Sequence, residues 1–153
     1  MRRAIGLAIV LALAVIPAAA ETKVYPADSL IIPMDTTYQD NGMLEAYGLV
    51  YDLLLAGMPV DWTIEPDKEY GDVDFVASAV DVATEDPVTA HGYRGGPFVI
   101  DGALHDDALP IVLDWQAAHP AVAVHRATAP FSAEAAGVLR AAPCIAIFVD
   151  HMD

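Results

Sequence analysis

Short apolar runs alternate along this chain with segments of helical period, and this order constrains the fold more than any other feature. Consecutive apolar residues that end at a turn residue are typical of a strand buried on both faces. Six segments are predicted to be strands: residues 30–34, 60–64, 74–82, 98–100, 121–126 and 144–149.

Helical patterns fill most of the spaces between these runs. Asn41 is a plausible N-cap for a helix whose apolar residues recur every three to four positions from Met43 to Met58, with Gly57 placed to end it. A second helix is predicted from Asp107 to His119, with Pro110 in its first turn.

The remaining segments differ in character. Ser132 is predicted to begin a third helix, which Pro143 stops. Residues 84–97 contain proline and several glycines and are predicted to be irregular.

Strands that alternate with helices predict the α/β class. The expected architecture is three-layered and flavodoxin-like, with a mostly parallel sheet and helices on both faces. Residues 28–153 are expected to form a single α/β domain. The apolar run 144–149 is typical of an interior strand, which favours a domain that is the front part of a longer protein over a sheet that ends there.

The N-terminus carries the features of a secretory signal peptide. Arg2 and Arg3 precede the apolar run 4–16, and small residues at Ala18 and Ala20 predict cleavage after Ala20. Thirteen residues in a helix reach about 20 Å, which is too short to span a membrane. The product is therefore expected to be periplasmic or extracellular, to begin with a polar lead-in at 21–27 and to have no membrane span.

The charge of the chain excludes one class of partner. The whole chain has a formal net charge of −15, and removal of residues 1–20 leaves five Lys and Arg against 22 Asp and Glu, a net charge of −17. A nucleic-acid-binding surface needs clustered cations, so no nucleic-acid partner is expected. Cys144 is the single cysteine, so no intramolecular disulfide can form.

Three stretches carry a resemblance to a known group of proteins. They are the run Ile31-Ile32-Pro33-Met34-Asp35-Thr36-Thr37-Tyr38-Gln39-Asp40-Asn41-Gly42, the helix segment Ala46-Tyr47-Gly48-Leu49-Val50-Tyr51, and Tyr93-Arg94-Gly95-Gly96-Pro97-Phe98-Val99. Together they resemble exported bacterial proteins of unassigned function whose front domain is similar to class I glutamine amidotransferase-like domains. The resemblance covers most of residues 28–150 and implies a flavodoxin-like fold.

The chemistry of that class does not carry over to this sequence. Amidotransferases of this class use a cysteine on a sharp, glycine-flanked turn, with a histidine and an acidic partner downstream. Cys144 follows Pro143 at the start of a predicted strand, and only His151 comes after it. No Gly-x-Ser-x-Gly motif is present either, so no catalytic residue is predicted.

Aspartates follow several of the predicted strands. In a parallel sheet the residues after the strands gather at one edge, where ligands bind. Asp35 and Asp150 would then form a site for Ca²⁺ or Mg²⁺, with Asp101 after another strand. The alternative is that each aspartate caps a loop or helix.

A glycine-rich loop is the second candidate site. His91, Tyr93, Arg94, Gly95 and Gly96 are predicted to bind a ligand, because glycines let the backbone approach it and Arg94 is one of few cations. The alternative is a tight turn in which Arg94 pairs with a nearby carboxylate. The acidic stretch 65–74 is predicted to be a solvated loop, with weak calcium association as a minor alternative.

These features favour an exported, acidic domain that acts as a scaffold or recognises a partner or ligand. The alternative is a hydrolase or amidotransferase-like enzyme that uses strand-end carboxylates with a divalent cation.

Overall fold

A computed structural model describes residues 21–39 and 41–143 of the chain. Two α-helices and a short 3-10 turn accompany eight strands in this part. The strands are β1 (Glu21–Tyr25), β2 (Leu30–Ile32), β3 (Val60–Thr63), β4 (Phe75–Asp81), β5 (Pro87–Tyr93), β6 (Phe98–Ile100), β7 (His125–Ala127) and β8 (Phe131–Leu139). The helices are α1 (Met43–Leu55) and α2 (His105–Ala118), and the 3-10 turn is Gly102–Leu104.

All eight strands belong to one curled sheet, a half-barrel with the order β1-β8-β3-β6-β2-β7-β4-β5. Every neighbouring pair among them is antiparallel. The predicted three-layer, mostly parallel, flavodoxin-like α/β fold is therefore wrong. The fold implied by the amidotransferase-like resemblance is wrong for the same reason.

Alternate residues of each central strand enter two separate cores. In β2, Leu30 and Ile32 join the core beneath the two helices, whereas Ile31 joins a second core on the opposite face. Both sets are fully buried, which explains why the strand is apolar throughout. The second face is buried because the sheet curls over itself, whereas the prediction placed a second layer of helices there.

The core inside the curl is largely aromatic. Tyr25 stacks on Phe131 with ring centroids 5.2 Å apart, Phe131 on Phe75 at 4.9 Å, and Phe75 on Tyr93 at 4.9 Å. Such stacked pairs contribute beyond the area that they bury. This column joins strands from both halves of the sheet order and holds the sheet in its curled form.

Helix α1 ends as the sequence predicts but buries only part of the predicted apolar face. Gly57 has a φ of 79°, and the amide N–H groups of Gly57 and Met58 donate to the carbonyls of Leu54 and Leu53, which is a Schellman motif. The buried positions are Ala46, Leu49, Val50, Leu53 and Leu54. Leu44, Tyr47 and Tyr51, which were expected to face inward, are exposed.

Helix α2 begins two residues earlier than predicted. The Asp101 carboxylate accepts from the amide of Ala103 at 3.0 Å and caps the 3-10 turn that leads into His105. Pro110 consequently lies inside the helix, beyond its first turn.

Three secondary-structure predictions are wrong. The strand expected at 121–126 is displaced, since β7 is His125–Ala127 and residues 121–124 precede it as a turn and loop. Residues 87–93, expected to be irregular, form β5, which ends the sheet order and, among the described strands, pairs only with β4. Pro87 is its first residue, where a strand tolerates proline. The helix expected from Ser132 is strand β8, which pairs with β1 on one side and β3 on the other.

Several predictions fall outside the described residues. These are the signal peptide with Ala18 and Ala20, the strand at 144–149, and the site residue Asp150. Residues 21–25 of the polar lead-in form β1. Within residues 21–39 and 41–143, no helix combines the length and hydropathy needed to cross a membrane.

Candidate functional site

A cavity of about 480 Å³ opens where three connecting segments meet the start of helix α1. Its walls are the turn after β2 (34–36), the first residue of α1 (Met43), parts of the β3–β4 connection (Ile64 and 68–71), and the β5–β6 turn (94–96). The volume lies in the range of about 300–1,000 Å³ that is usual for small-molecule sites. Loops held together on one sheet are a common setting for a binding site.

The β5–β6 turn reaches this position because of its two glycines. Gly95 and Gly96 have φ values of 78° and 74°, a region that side chains disfavour. A Cβ on Gly95 would lie 2.6 Å from the carbonyl oxygen of Met34, and one on Gly96 would lie 2.6 Å from Nε1 of Trp62. Trp62 Nε1 donates to the Gly96 carbonyl at 3.0 Å, which anchors the turn.

We expect the close approach at Gly95 to be visible in stability measurements. Gly57→Ala should lower the free energy of unfolding by about 1 kcal/mol, because φ is positive but no atom lies within 4 Å of the new Cβ. Gly95→Ala should cost about 2 kcal/mol, because the same backbone strain is joined by overlap with Met34. Urea unfolding at pH 7 compares the two variants. Equal losses would contradict the close packing of this turn.

Asp74 joins two walls of the cavity. Its carboxylate accepts from the Gly96 amide at 3.0 Å and from the Glu65 amide at 3.0 Å, and it forms an ion pair with Lys68 Nζ at 2.6 Å. The Asp74 side chain has no exposed surface. The end of the acidic stretch 65–74 is thus a buried structural anchor, whereas the sequence predicted a solvated loop.

Asp35 lies on the cavity wall and contacts a histidine. Its Oδ1 accepts from the Thr37 amide at 3.0 Å, and its Oδ2 lies 3.1 Å from His91 Nε2. The ring of Tyr38 packs edge-on against His91, with centroids 4.8 Å apart. The structure therefore brings together two residues that the sequence assigned to separate candidate sites.

His125 and Tyr93 form a buried pair behind this wall. The Tyr93 hydroxyl lies 2.8 Å from His125 Nδ1. Burial raises the pKa of Tyr93 above its usual range, with Tyr38 and Asp35 acting in the same direction. The phenol therefore stays protonated and donates to Nδ1, which leaves the imidazole proton on Nε2.

The surroundings of His125 favour its neutral form. Burial lowers the pKa of His125 to about 4, although the Asp81 carboxylate opposes this effect. His125 Nε2 has no hydrogen-bond partner in the described structure, and Asp81 Oδ2 lies 3.8 Å away. A buried N–H group with no acceptor is costly. Because burial also disfavours the protonated imidazole, His125 destabilises the fold at low pH.

Two of the four charged side chains that line the cavity have no partner among the described residues. Arg94 is exposed and makes no hydrogen bond or ion pair with any part of the chain that the structure describes. The expected pairing of Arg94 with a local carboxylate is therefore not found there. The Glu69 side chain is also without a partner among these residues.

The predicted site residues are only partly assembled. Asp35, Arg94, Gly95 and Gly96 line the cavity. The neighbouring His91 and Tyr93 lie on β5, and Tyr93 is buried in the inner core.

Asp101, the other strand-end aspartate, lies in a different setting. It contacts Lys23 Nζ at 3.1 Å, and the same amine binds the buried Asp61 at 2.7 Å. Asp101 follows β6 and Asp35 follows β2, and these two strands are antiparallel neighbours. Their ends therefore point in opposite directions, and the predicted single rim of carboxylates is wrong for this pair. Asp150 lies outside the described residues.

The sequence did not single out several residues of this region, namely Tyr38, Asp74, His125 and the cavity residues Met34, Met43, Ile64, Lys68, Glu69 and Tyr70. The ones that carried a signal are those at 68–70 and Asp74, because they belong to the conspicuous acidic stretch 65–74. Within residues 21–39 and 41–143, no group of three or more His, Cys, Asp or Glu side chains is arranged to hold a metal ion.

Comparison with known proteins adds no relative. No family model matches the chain, and neither a curated protein nor a solved structure is similar to it.

Proposed function

We propose that this protein is an exported recognition domain that binds a small anionic ligand with an apolar portion in the cavity. The observation that carries the proposal is Arg94 at the wall of that cavity, a cation that has no partner among residues 21–39 and 41–143. In a chain with a net charge of −15, a cation without a carboxylate partner is unexpected, because acidic residues outnumber basic ones three to one. An exposed guanidinium is suited to binding a carboxylate or phosphate with two parallel hydrogen bonds.

The rest of the cavity supports a ligand that is partly apolar. Met34, Met43 and Ile64 contribute hydrophobic surface to it. Methionine side chains adapt to differently shaped apolar groups. Gly95 and Gly96 have no side chains, so a ligand can approach the backbone of this turn closely.

A pair of related small molecules tests this proposal. N-acetyl-L-leucine has a carboxylate and an apolar side chain, and N-acetyl-L-leucinamide differs only in lacking the charge. We expect calorimetric titration of the purified protein to show at least about tenfold tighter binding of the acid, since a charge-assisted hydrogen bond contributes about 1.5–3 kcal/mol.

Arg94→Gln should reduce the affinity for the acid to that for the amide. Arg140→Gln is the matched control, because it removes the same charge from an exposed residue that does not line this cavity. Equal binding of acid and amide by the unmodified protein, or equal effects of the two substitutions, would overturn the proposal.

An acid–base enzyme is the second candidate, and the contact of His91 with Asp35 is the observation that favours it. A carboxylate that orients an imidazole is a recurrent element of general-base catalysis. In this case His91→Gln would abolish turnover of a ligand while leaving its affinity nearly unchanged. A ligand recovered unaltered after prolonged incubation with the protein argues for recognition alone.

A further inference from the structure

We infer that the ligand is zwitterionic, namely a short peptide with a free amino terminus, a free carboxyl terminus and apolar side chains. This inference rests on the proposed function and names its ligand class. It follows from the arrangement of opposite charges around the cavity.

Cationic and anionic side chains line the same cavity without pairing across it. Arg94 stands on the β5–β6 turn, while Asp35 and Glu69 stand on two other walls. Lys68 also lines the cavity, but its amine is paired with the buried Asp74. Neither carboxylate lies within 4.0 Å of the Arg94 guanidinium, the distance that defines an ion pair. Because the Arg94 guanidinium is separated from both carboxylates, a positive and a negative charge face the same cavity.

A molecule that fills this space gains most if it carries the complementary charges at its two ends. A ligand carboxylate at Arg94 and a ligand ammonium at Asp35 would each make charge-assisted hydrogen bonds. A purely anionic ligand would instead meet repulsion from Asp35 and Glu69. The acidic walls therefore favour an anion that also carries a cationic group over an anion that does not.

The size of the cavity suits a peptide of two or three residues. Two extended residues span about 7 Å, and their side chains need additional apolar surface. Met34, Met43 and Ile64 provide that surface, and their flexibility predicts tolerance for different apolar side chains. Tyr70 at the same cavity is fully exposed, so its ring is available to cover a bound side chain.

Three peptides separate the two charge contacts. The probes are the dipeptide Leu-Phe, its N-acetyl derivative and its C-terminal amide, each titrated calorimetrically into the purified protein at pH 7. We expect Leu-Phe to bind about tenfold more tightly than either derivative. The loss caused by acetylation should disappear in Asp35→Asn, because that variant no longer holds the ammonium.

Two further variants keep the test interpretable. Glu69→Gln removes the second acidic wall residue from an exposed position and should reduce the acetylation penalty in part. Asp114→Asn, an exposed change on α2, should leave all three affinities as they are. Thermal melts of each variant establish that it is folded.

The outcomes distinguish this inference from the proposed function. Binding that acetylation does not weaken would overturn the ammonium contact while leaving recognition of a carboxylate by Arg94 intact. An acetylation penalty that persists unchanged in both Asp35→Asn and Glu69→Gln would also overturn it. Failure of all three peptides and of N-acetyl-L-leucine to bind would overturn both proposals.

Discussion

Asp74→Ala is expected to lower the free energy of unfolding by about 3–5 kcal/mol, the largest effect of any substitution considered in this protein. The side chain of Asp74 is wholly buried, accepts two hydrogen bonds and forms an ion pair with Lys68. Its removal leaves two backbone amides without acceptors and Lys68 without its counter-ion. Urea unfolding at pH 7 gives the loss directly.

A neighbouring aspartate provides the control for this prediction. Asp72 lies in the same connection but is exposed, and its carboxylate accepts only from the Glu69 amide, at 3.2 Å. Asp72→Ala should therefore cost less than about 1 kcal/mol. If Asp74→Ala is too unstable to purify, Asp74→Asn keeps the shape of the side chain and should show an intermediate loss. Similar stabilities for the Asp72 and Asp74 alanine variants would show that Asp74 is not an anchor.

The Asp74 substitution also links stability to binding. The carboxylate holds the β3–β4 connection to the β5–β6 turn, and both segments are walls of the cavity. Asp74→Asn should weaken binding of N-acetyl-L-leucine even though Asp74 is not among the residues that line the cavity. Asp72→Ala should not.

Acidification is expected to destabilise the protein by about 3 kcal/mol between pH 6.5 and pH 4, through His125 alone. The unfolded chain binds a proton at this imidazole near pH 6.5, whereas the folded protein binds it only near pH 4. Within this interval the unfolded state holds more protons, so stability falls as the pH falls. The contribution is fully present above pH 6.5 and fully lost below pH 4.

The groups around His125 determine the pH range in which this loss of stability occurs. Burial is the main cause of the lowered pKa, with the His91 charge adding to it and Asp81 and Asp35 opposing it. Asp101 also has a lowered pKa, chiefly through its hydrogen bond from the Ala103 amide, and its contribution is lost only below its ordinary value of 3.8. The two effects therefore occur in different pH ranges.

Urea unfolding of the native protein and of His125→Gln at half-unit pH steps tests this expectation. His125→Gln cannot titrate at this position, so its stability should change much less between pH 6.5 and pH 4. The readout is the slope with pH, which does not depend on how stable the variant is at pH 7. Parallel curves for the two proteins would show that His125 is not the acid-sensitive group.

Local sequence signals predicted individual elements well. The strands β2, β3, β4 and β6 and the helix α1 form close to their expected positions, since apolar periodicity and stop signals act over a few residues. Gly57 is a clear example. It takes the left-handed conformation that the end of α1 requires.

Two segments show why local signals were insufficient. Residues 132–142 are rich in alanine, which favours a helix, but β8 forms because β1 and β3 supply hydrogen-bonding partners on both of its sides. Both partner strands lie far from residues 132–142 in the sequence, so no residue close to this segment indicates that it pairs with them. Residues 87–93 likewise form a strand because β4 is adjacent, despite Pro87 and Gly92.

The candidate site likewise combines features that local sequence predicts with features that depend on long-range contacts. Asp35 and the glycine-rich turn were predicted as two separate sites. Each prediction depended on residue type alone, because aspartate can bind a cation and glycines let a ligand approach the backbone. Their meeting at one cavity depends on Gly95 packing against Met34, which is a contact between distant segments. Lys68 and Asp74 enter the region through the same kind of long-range packing.

The amino-acid sequence by itself determined the acidic charge, the extent of most buried strands and the end of α1, because these depend on composition and on neighbours a few residues apart. The tertiary structure alone decided that the strands run antiparallel and that the sheet curls onto an aromatic core. A strand that is apolar on both faces must be buried on both. The local sequence does not determine whether helices or the curled sheet itself buries the second face. Because the sheet itself provides the cover, Asp35 and Asp101 lie at opposite ends of neighbouring strands, and Asp35 lines the same cavity as Arg94.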